Sequence, residues 1–165
     1  AAADGDPGES GWQTPAALGE VARRLTGACE ALDSLLAAPA TWQRWPGADL
    51  PVLRNWSSGN LALLGDAAHA SLPFLAQGAV MALEDAVVLA RETAGAQPAE
   101  AFRAYERQRK PRTSRIQEQS RRMCRIYHAA GLTALARNLT LTFASPSFAL
   151  NRLAWIYRWR PENAA

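Results

Sequence analysis

The chain has 165 residues, 48% hydrophobic and 20% charged, with a formal net charge of +3; that length and apolar content suit one folded domain and exclude intrinsic disorder. Eleven glycines and ten prolines are too few for a collagen-like or linker sequence, and no apolar run approaches the roughly 20 residues a membrane span requires. The polar start from Ala1 to Gly11 does not read as a secretory signal, and Cys29 with Cys124 makes neither a disulfide framework nor a metal set, so a reduced, cytoplasmic protein is expected.

Residues 1–14 read as a flexible start. From Pro15, Leu18, Val21, Ala22 and Leu25 recur on one helical face, predicting a helix that ends near Gly27. A second helix is predicted from Ala28 to Ala37, stopped by Pro39. Thr41–Trp45 alternates large and polar residues, a strand signal cut off by Pro46-Gly47. After a loop and the turn cluster Trp56–Asn60, the short apolar run Leu61–Leu64 predicts a buried strand. A loop with Gly65, Asp66 and Pro73 leads into a helix from Gln77 to Thr93. That helix is apolar on nearly every side, as interior helices are.

A long helix is predicted from Ala99, kinked or broken at Pro111. It carries Arg103–Arg125, where nine basic residues face only Glu106 and Glu118. A solvated helix face is the reading taken for this stripe, with nucleic-acid binding ranked third among the functions because no RNP-type or zinc-finger motif accompanies it. Two more helical stretches, split at Ser145-Pro146, fill residues 131–159. The expected fold is mainly α with one or two short strands. A buried strand needs neighbours on its edges, and this sequence offers few; the pattern therefore points to a missing partner surface, in the same protein or on another subunit.

The most informative segment is Leu61–Leu89: LALLGDAAHASLPFLAQGAVMALEDAVVL. It reads as a strand, a Gly-Asp turn, a proline-containing loop and a helix opened by Gln77-Gly78. Gly65 lets another group approach closely. Asp66 offers an ionised acceptor to hydroxyl groups at the end of a strand. Gly78, Ala79 and Val80 present backbone N–H groups at a helix start. Glu84 and Asp85 point about 100° apart on a helix and cannot act as a paired carboxylate; bonds to backbone or arginine groups are expected of them.

GDAAH, then Pro73, Gln77-Gly78 and Glu84-Asp85-Ala86, resembles the second flavin motif of single-component FAD-dependent aromatic hydroxylases, the salicylate hydroxylase-like group. Trp42–Pro46, Leu53–Trp56 and Ser58–Asn60 before it, and Tyr105–Arg112 and Trp155–Tyr157 after it, resemble the flanks of that branch. The resemblance implies the C-terminal part of the α/β FAD-binding (glutathione-reductase-like) monooxygenase fold. It places residues 15–56 at the end of a substrate domain, residues 57–96 in the flavin motif and its helix, and residues 97–165 in a C-terminal helical region.

By resemblance, Asp66 would accept from a ribityl hydroxyl of FAD with Gly65 clearing its approach. Pro73 would lie beside the isoalloxazine, with Pro73 and Phe74 candidates for the substrate side, while Gly78, Ala79 and Val80 would face the flavin N1–C2=O edge. Gln77 would be positional and His69 a loop anchor; no catalytic side chain is implied, because the chemistry is mainly the cofactor's. Many relatives carry Gly where this chain has Ala76, which predicts a less permissive loop path. The activity implied is hydroxylation of a small aromatic substrate with NADH or NADPH and O2, without nucleic acid, membrane or metal. No Gly-x-Gly-x-x-Gly after a strand is present. The N-terminal half of such an enzyme is thus the expected partner, and this chain alone is expected to bind FAD weakly and to be inactive. A non-catalytic helical module that keeps the flavin loop as scaffold is the alternative.

Overall fold

The computed structural model describes residues 14–24 and 29–161, in two units that divide after Gly47. In the first, β1 (Thr14–Ala16) pairs antiparallel with β2 (Trp42–Arg44), Thr14 opposite Arg44 and Ala16 opposite Trp42. The strand expected around Trp42–Arg44 is therefore present. The helix expected from Pro15 begins later, as α1 (Leu18–Arg24), because Pro15 sits inside β1. A proline is tolerated there because a two-stranded ladder consists only of edges. α2 covers Glu30–Ala37; the expected boundary at Gly27 and Ala28 lies outside the described residues.

In the second unit, β3 (Ser57–Ser58) and β4 (Leu61–Ala62) form a small antiparallel hairpin turned at Gly59, whose φ is +56°. The buried strand expected at Leu61–Leu64 is corrected here. β4 is two residues long and pairs only with β3 among the described residues, and Leu61 is 61% exposed. α3 (Asp66–His69) and a 3-10 turn (Pro73–Leu75) then lead to α4 (Gly78–Thr93) and α5 (Pro98–Tyr127).

α5 runs for 30 residues, unbroken at Pro111. The expected break is absent because Pro111 and Arg107, whose carbonyl loses its donor, both face solvent. Its inner face is Ala101, Tyr105, Arg109, Thr113, Ile116, Gln117 and Ser120, a spacing of four and three that suits a helix packed along its whole length. Against it α4 buries Met81, Glu84, Asp85 and Val88. α4 is not enclosed all round as its composition suggests, since Leu83 is 69% and Val87 50% exposed.

Trp56, Ala68, Val88 and Tyr105 form one core cluster, and Leu75, Met81, Ile116 and Ile156 a second. Each of the larger apolar side chains contributes about 1.5–3 kcal/mol by leaving water. α6 (Gly131–Phe143) and α7 (Pro146–Tyr157) follow, split where expected, with the Ser145 side chain capping α7 through the Phe148 amide. No helix among the described residues is long and apolar enough to cross a membrane.

Candidate functional site

The loop from Gly65 to Gln77 is held from beneath by α4 and α5. Gly65 has φ +58° and ψ −135°, a conformation open essentially to glycine, and a Cβ there would meet the Ala82 Cβ at 3.3 Å. Its amide donates to Asp85 Oδ2 at 3.1 Å, and His69 Nε2 donates to the same oxygen at 2.5 Å. Both His69 and Asp85 are completely buried, and the His69 ring lies 5.2 Å from that of Trp56. His69 thus has the anchoring hydrogen bond expected of it.

Asp85 Oδ1 accepts from Arg109 Nε at 2.7 Å. Arg109 also pairs with Glu84 at 2.8 Å, and Arg112 grips the Glu84 carboxylate with two bonds of 2.7 and 2.8 Å. Arg112 reaches on to the carbonyls of Trp155 and Ile156, while the Trp159 ring stacks against both guanidiniums. Burial would raise the Asp85 pKa, but the hydrogen bonds from His69 and Arg109, reinforced by charge attraction, hold it below its ordinary 3.8. Burial pushes the Tyr105 phenol up, with the Asp85 charge adding to it. Tyr105 therefore stays protonated and donates to the Leu63 carbonyl at 3.2 Å.

Further along the loop, the Ser120 hydroxyl donates to the Leu72 carbonyl and Gln117 to those of Leu50 and Ala70. Phe74 packs against Tyr127 and His128, each ring 5.8 Å away. Ala76 takes φ +51°, ψ +37°, the left-handed region. The less permissive path expected of Ala76 is not what forms; the backbone follows a glycine-like path with an alanine in it. Since left-handed φ costs an L-residue about 1–2 kcal/mol and glycine's added unfolded freedom returns part of that, Ala76→Gly is expected to stabilise the protein by about 0.5–1 kcal/mol. A thermal melt reads this as a raised midpoint.

The candidate residues converge at the start of α4. Asp66 is exposed, and its Oδ1 lies 3.9 Å from where a Cβ on Gly78 would stand. The amides of Gly78, Ala79 and Val80 lead α4 with no intrahelical carbonyl behind them; Met81 is the first to donate, to the Gln77 carbonyl at 2.8 Å. Gln77 is buried, its side-chain amide bonded to the Leu75 carbonyl. A free carboxylate thus stands beside a turn of free amides, with glycine keeping the space between them open. Pro73 is exposed on the same loop, and Phe74 turns instead toward the end of α5. A separate concavity of about 530 Å³ on α5, lined by Arg103, Glu106, Arg107, Lys110 and Pro111, shares no residue with the loop.

Arg109 and Arg112 escaped the reading of the basic stripe as a solvated face, and the structure corrects it. Arg109 is fully buried and Arg112 nearly so, whereas Arg103, Arg107, Arg115, Arg122 and Arg125 are exposed. The signal that would have found Arg109 is its place four residues after Tyr105 and eight after Ala101, on the one apolar stripe of α5.

A family model described as an FAD binding domain matches residues 3–120. Among curated proteins, the chain is 40% identical over 146 residues to a 3-hydroxybenzoate 6-hydroxylase of Polaromonas naphthalenivorans (strain CJ2), covering 87% of this chain and 36% of the relative. It is 41% identical over 131 residues to the same-named protein of Klebsiella oxytoca, covering 78% and 33%. Among solved structures it superposes on a salicylate hydroxylase in a substrate complex, with TM-score 0.77, 28% identity, 99% of this chain and 40% of that one. It also superposes on Klebsiella pneumoniae HpxO complexed with FAD and uric acid, with TM-score 0.75, 28% identity, and coverage of 82% and 36%. The chain spans about a third of the length of the curated relatives it matches. The loop, Asp66 and the start of α4 all fall within the matched residues, and the chain belongs to the FAD binding domain family.

Proposed function

We propose that this chain is the C-terminal part of an FAD-dependent monooxygenase that hydroxylates a small aromatic substrate with NADH or NADPH and O2. Within it, residues 57–96 supply the ribityl and isoalloxazine loop. The observation that carries the reading is the free Asp66 carboxylate beside the unpaired amides of Gly78, Ala79 and Val80. These residues suit a flavin. The carboxylate can accept from a sugar-chain hydroxyl, and the helix start can face the electron-rich ring edge, with a dipole contribution of about 0.3–1 kcal/mol. Bound FAD supplies the redox and oxygen chemistry; the chain's own residues bind, orient and exclude water. Pro73 stands as the residue beside the ring, and Phe74, packed on Tyr127 and His128, fixes the loop that holds it.

The partner in this reading is the N-terminal part of the same protein, and the setting is cytoplasmic. Two features support a further segment. Val80, Leu83 and Val87 are 41%, 69% and 50% exposed along α4, and Leu61 and Leu64 are exposed beside the loop, apolar surface of the kind that partner segments cover. The relatives' names support small aromatic acids as the substrate class.

The test is FAD titration of the longer protein containing this chain, followed by flavin fluorescence. Asp66→Ala should weaken FAD by about 10- to 100-fold, the worth of a hydrogen bond to a charged acceptor. It should change stability by no more than about 1 kcal/mol, because Asp66 is exposed and adds only helix-start electrostatics. Unchanged FAD affinity would overturn the assignment.

A further inference from the structure

Asp85 lies twenty residues beyond Gly65, yet one of its oxygens ties down both ends of α3. Oδ2 accepts the Gly65 amide, at the residue preceding the helix, and the His69 ring, at the helix's last residue. The other oxygen, Oδ1, is occupied by Arg109. With Asp85 fully buried and bonded on both oxygens, the carboxylate is held in place and the Leu64–Gly65 peptide, whose N–H it accepts, is fixed just ahead of Asp66. The direction in which Asp66 leaves the backbone is therefore set by an atom that is itself too deep to meet a ligand.

We propose that Asp85 is a positioning residue for flavin binding: it clamps both ends of α3 so that the Asp66 carboxylate faces the leading amides of α4. This rests on the flavin reading given above. The two oxygens of Asp85 divide the labour. Oδ1 meets the arginine that joins α4 to α5, and Oδ2 holds the two ends of α3. A side-chain amide at this position would keep its oxygen toward Arg109, a donor only. Its NH2 would then face the Gly65 amide, a donor it cannot bond, and the Gly65 end of the loop would be released even if the His69 ring switches tautomer to accept from the new amide. Arg109→Lys disturbs the Oδ1 side and leaves the Oδ2 clamp in place.

The experiment compares Asp85→Asn with Arg109→Lys in the longer FAD-loaded protein, measuring FAD affinity, the visible flavin spectrum and thermal stability together. Asp85→Asn should weaken FAD by about 10- to 100-fold and shift the flavin bands, whereas Arg109→Lys should lose comparable stability with FAD affinity and spectrum unchanged. FAD affinities that fall in step with stability in both variants, or an Asp85→Asn protein that binds FAD normally, would overturn the proposal. Should Asp85→Asn fail to fold, amide hydrogen exchange on the unaltered 165-residue chain decides. Gly65 should exchange far more slowly than Asp66 and Ala67, and equal rates would overturn the clamp. Failure of the unaltered longer protein to bind FAD would instead sink the flavin reading, which the exchange measurement does not touch.

Discussion

Arg109→Ala is expected to lower the folding free energy by about 3–5 kcal/mol, the range for removing one partner of a buried ion pair. The side chain is completely buried and contacts two carboxylates, Asp85 at 2.7 Å and Glu84 at 2.8 Å, besides the Met81 carbonyl. Glu84 keeps Arg112 after the change, but Asp85 is left in the interior with only the hydrogen bonds from His69 and the Gly65 amide. Desolvation, the largest influence on Asp85, would then act with the Arg109 hydrogen bond and charge no longer opposing it. Urea unfolding followed by circular dichroism measures the effect. Arg103→Ala and Arg107→Ala, on the exposed side of the same helix, should stay within about 0.5 kcal/mol. A loss at Arg109 no larger than theirs would show that the pairing contributes little.

Gly65→Val should be the second severe change, at about 2–6 kcal/mol. Its φ of +58° with ψ −135° costs a side-chain-bearing residue about 1–3 kcal/mol. The new atoms also run into Ala82, whose Cβ is already 3.3 Å from the first of them, and crowding of that kind adds about 1–3 kcal/mol. Gly59→Val separates the two contributions. It has nearly the same φ, +56°, with open space around the position, so it should show backbone strain alone. Thermal melts of the pair would measure the difference, and equal losses would remove the steric part of the account.

The spacing of GDAAH, Pro73 and Gln77-Gly78 made the loop legible because each residue there answers a local need: a glycine-only conformation, a carboxylate, a helix start. Helix identities after Gln77 were equally legible from long apolar periodicity and from the breaks at Pro98 and Ser145-Pro146. What stayed hidden depends on contacts distant in sequence. Pro15 looked like a helix start because its strand partner, Gln43, lies 28 residues away. Leu61–Leu64 looked buried because four apolar residues in a row carry no mark of how many neighbours the strand will have. The inward arginines were hidden by their own abundance, since Arg109 differs from Arg107 only in which side of α5 it occupies. Ala76 lay beyond local rules for another reason. The loop demands left-handed backbone there, and the surrounding hydrogen bonds impose it on a residue that does not prefer it.

The chain of charges from Asp85 through Arg109 and Glu84 to Arg112 has a further consequence for how the molecule comes apart. It joins the loop, both long helices and the carbonyls of Trp155 and Ile156 near the end of α7. Loosening any one of them strands an ion in the interior, so partial opening is nearly as unfavourable as complete opening. Segments that meet ligands are commonly the first to fray. Here such a segment melts only with the rest, so a lesion in the last helix should lower the stability of the loop together with that of the helices without redirecting the loop.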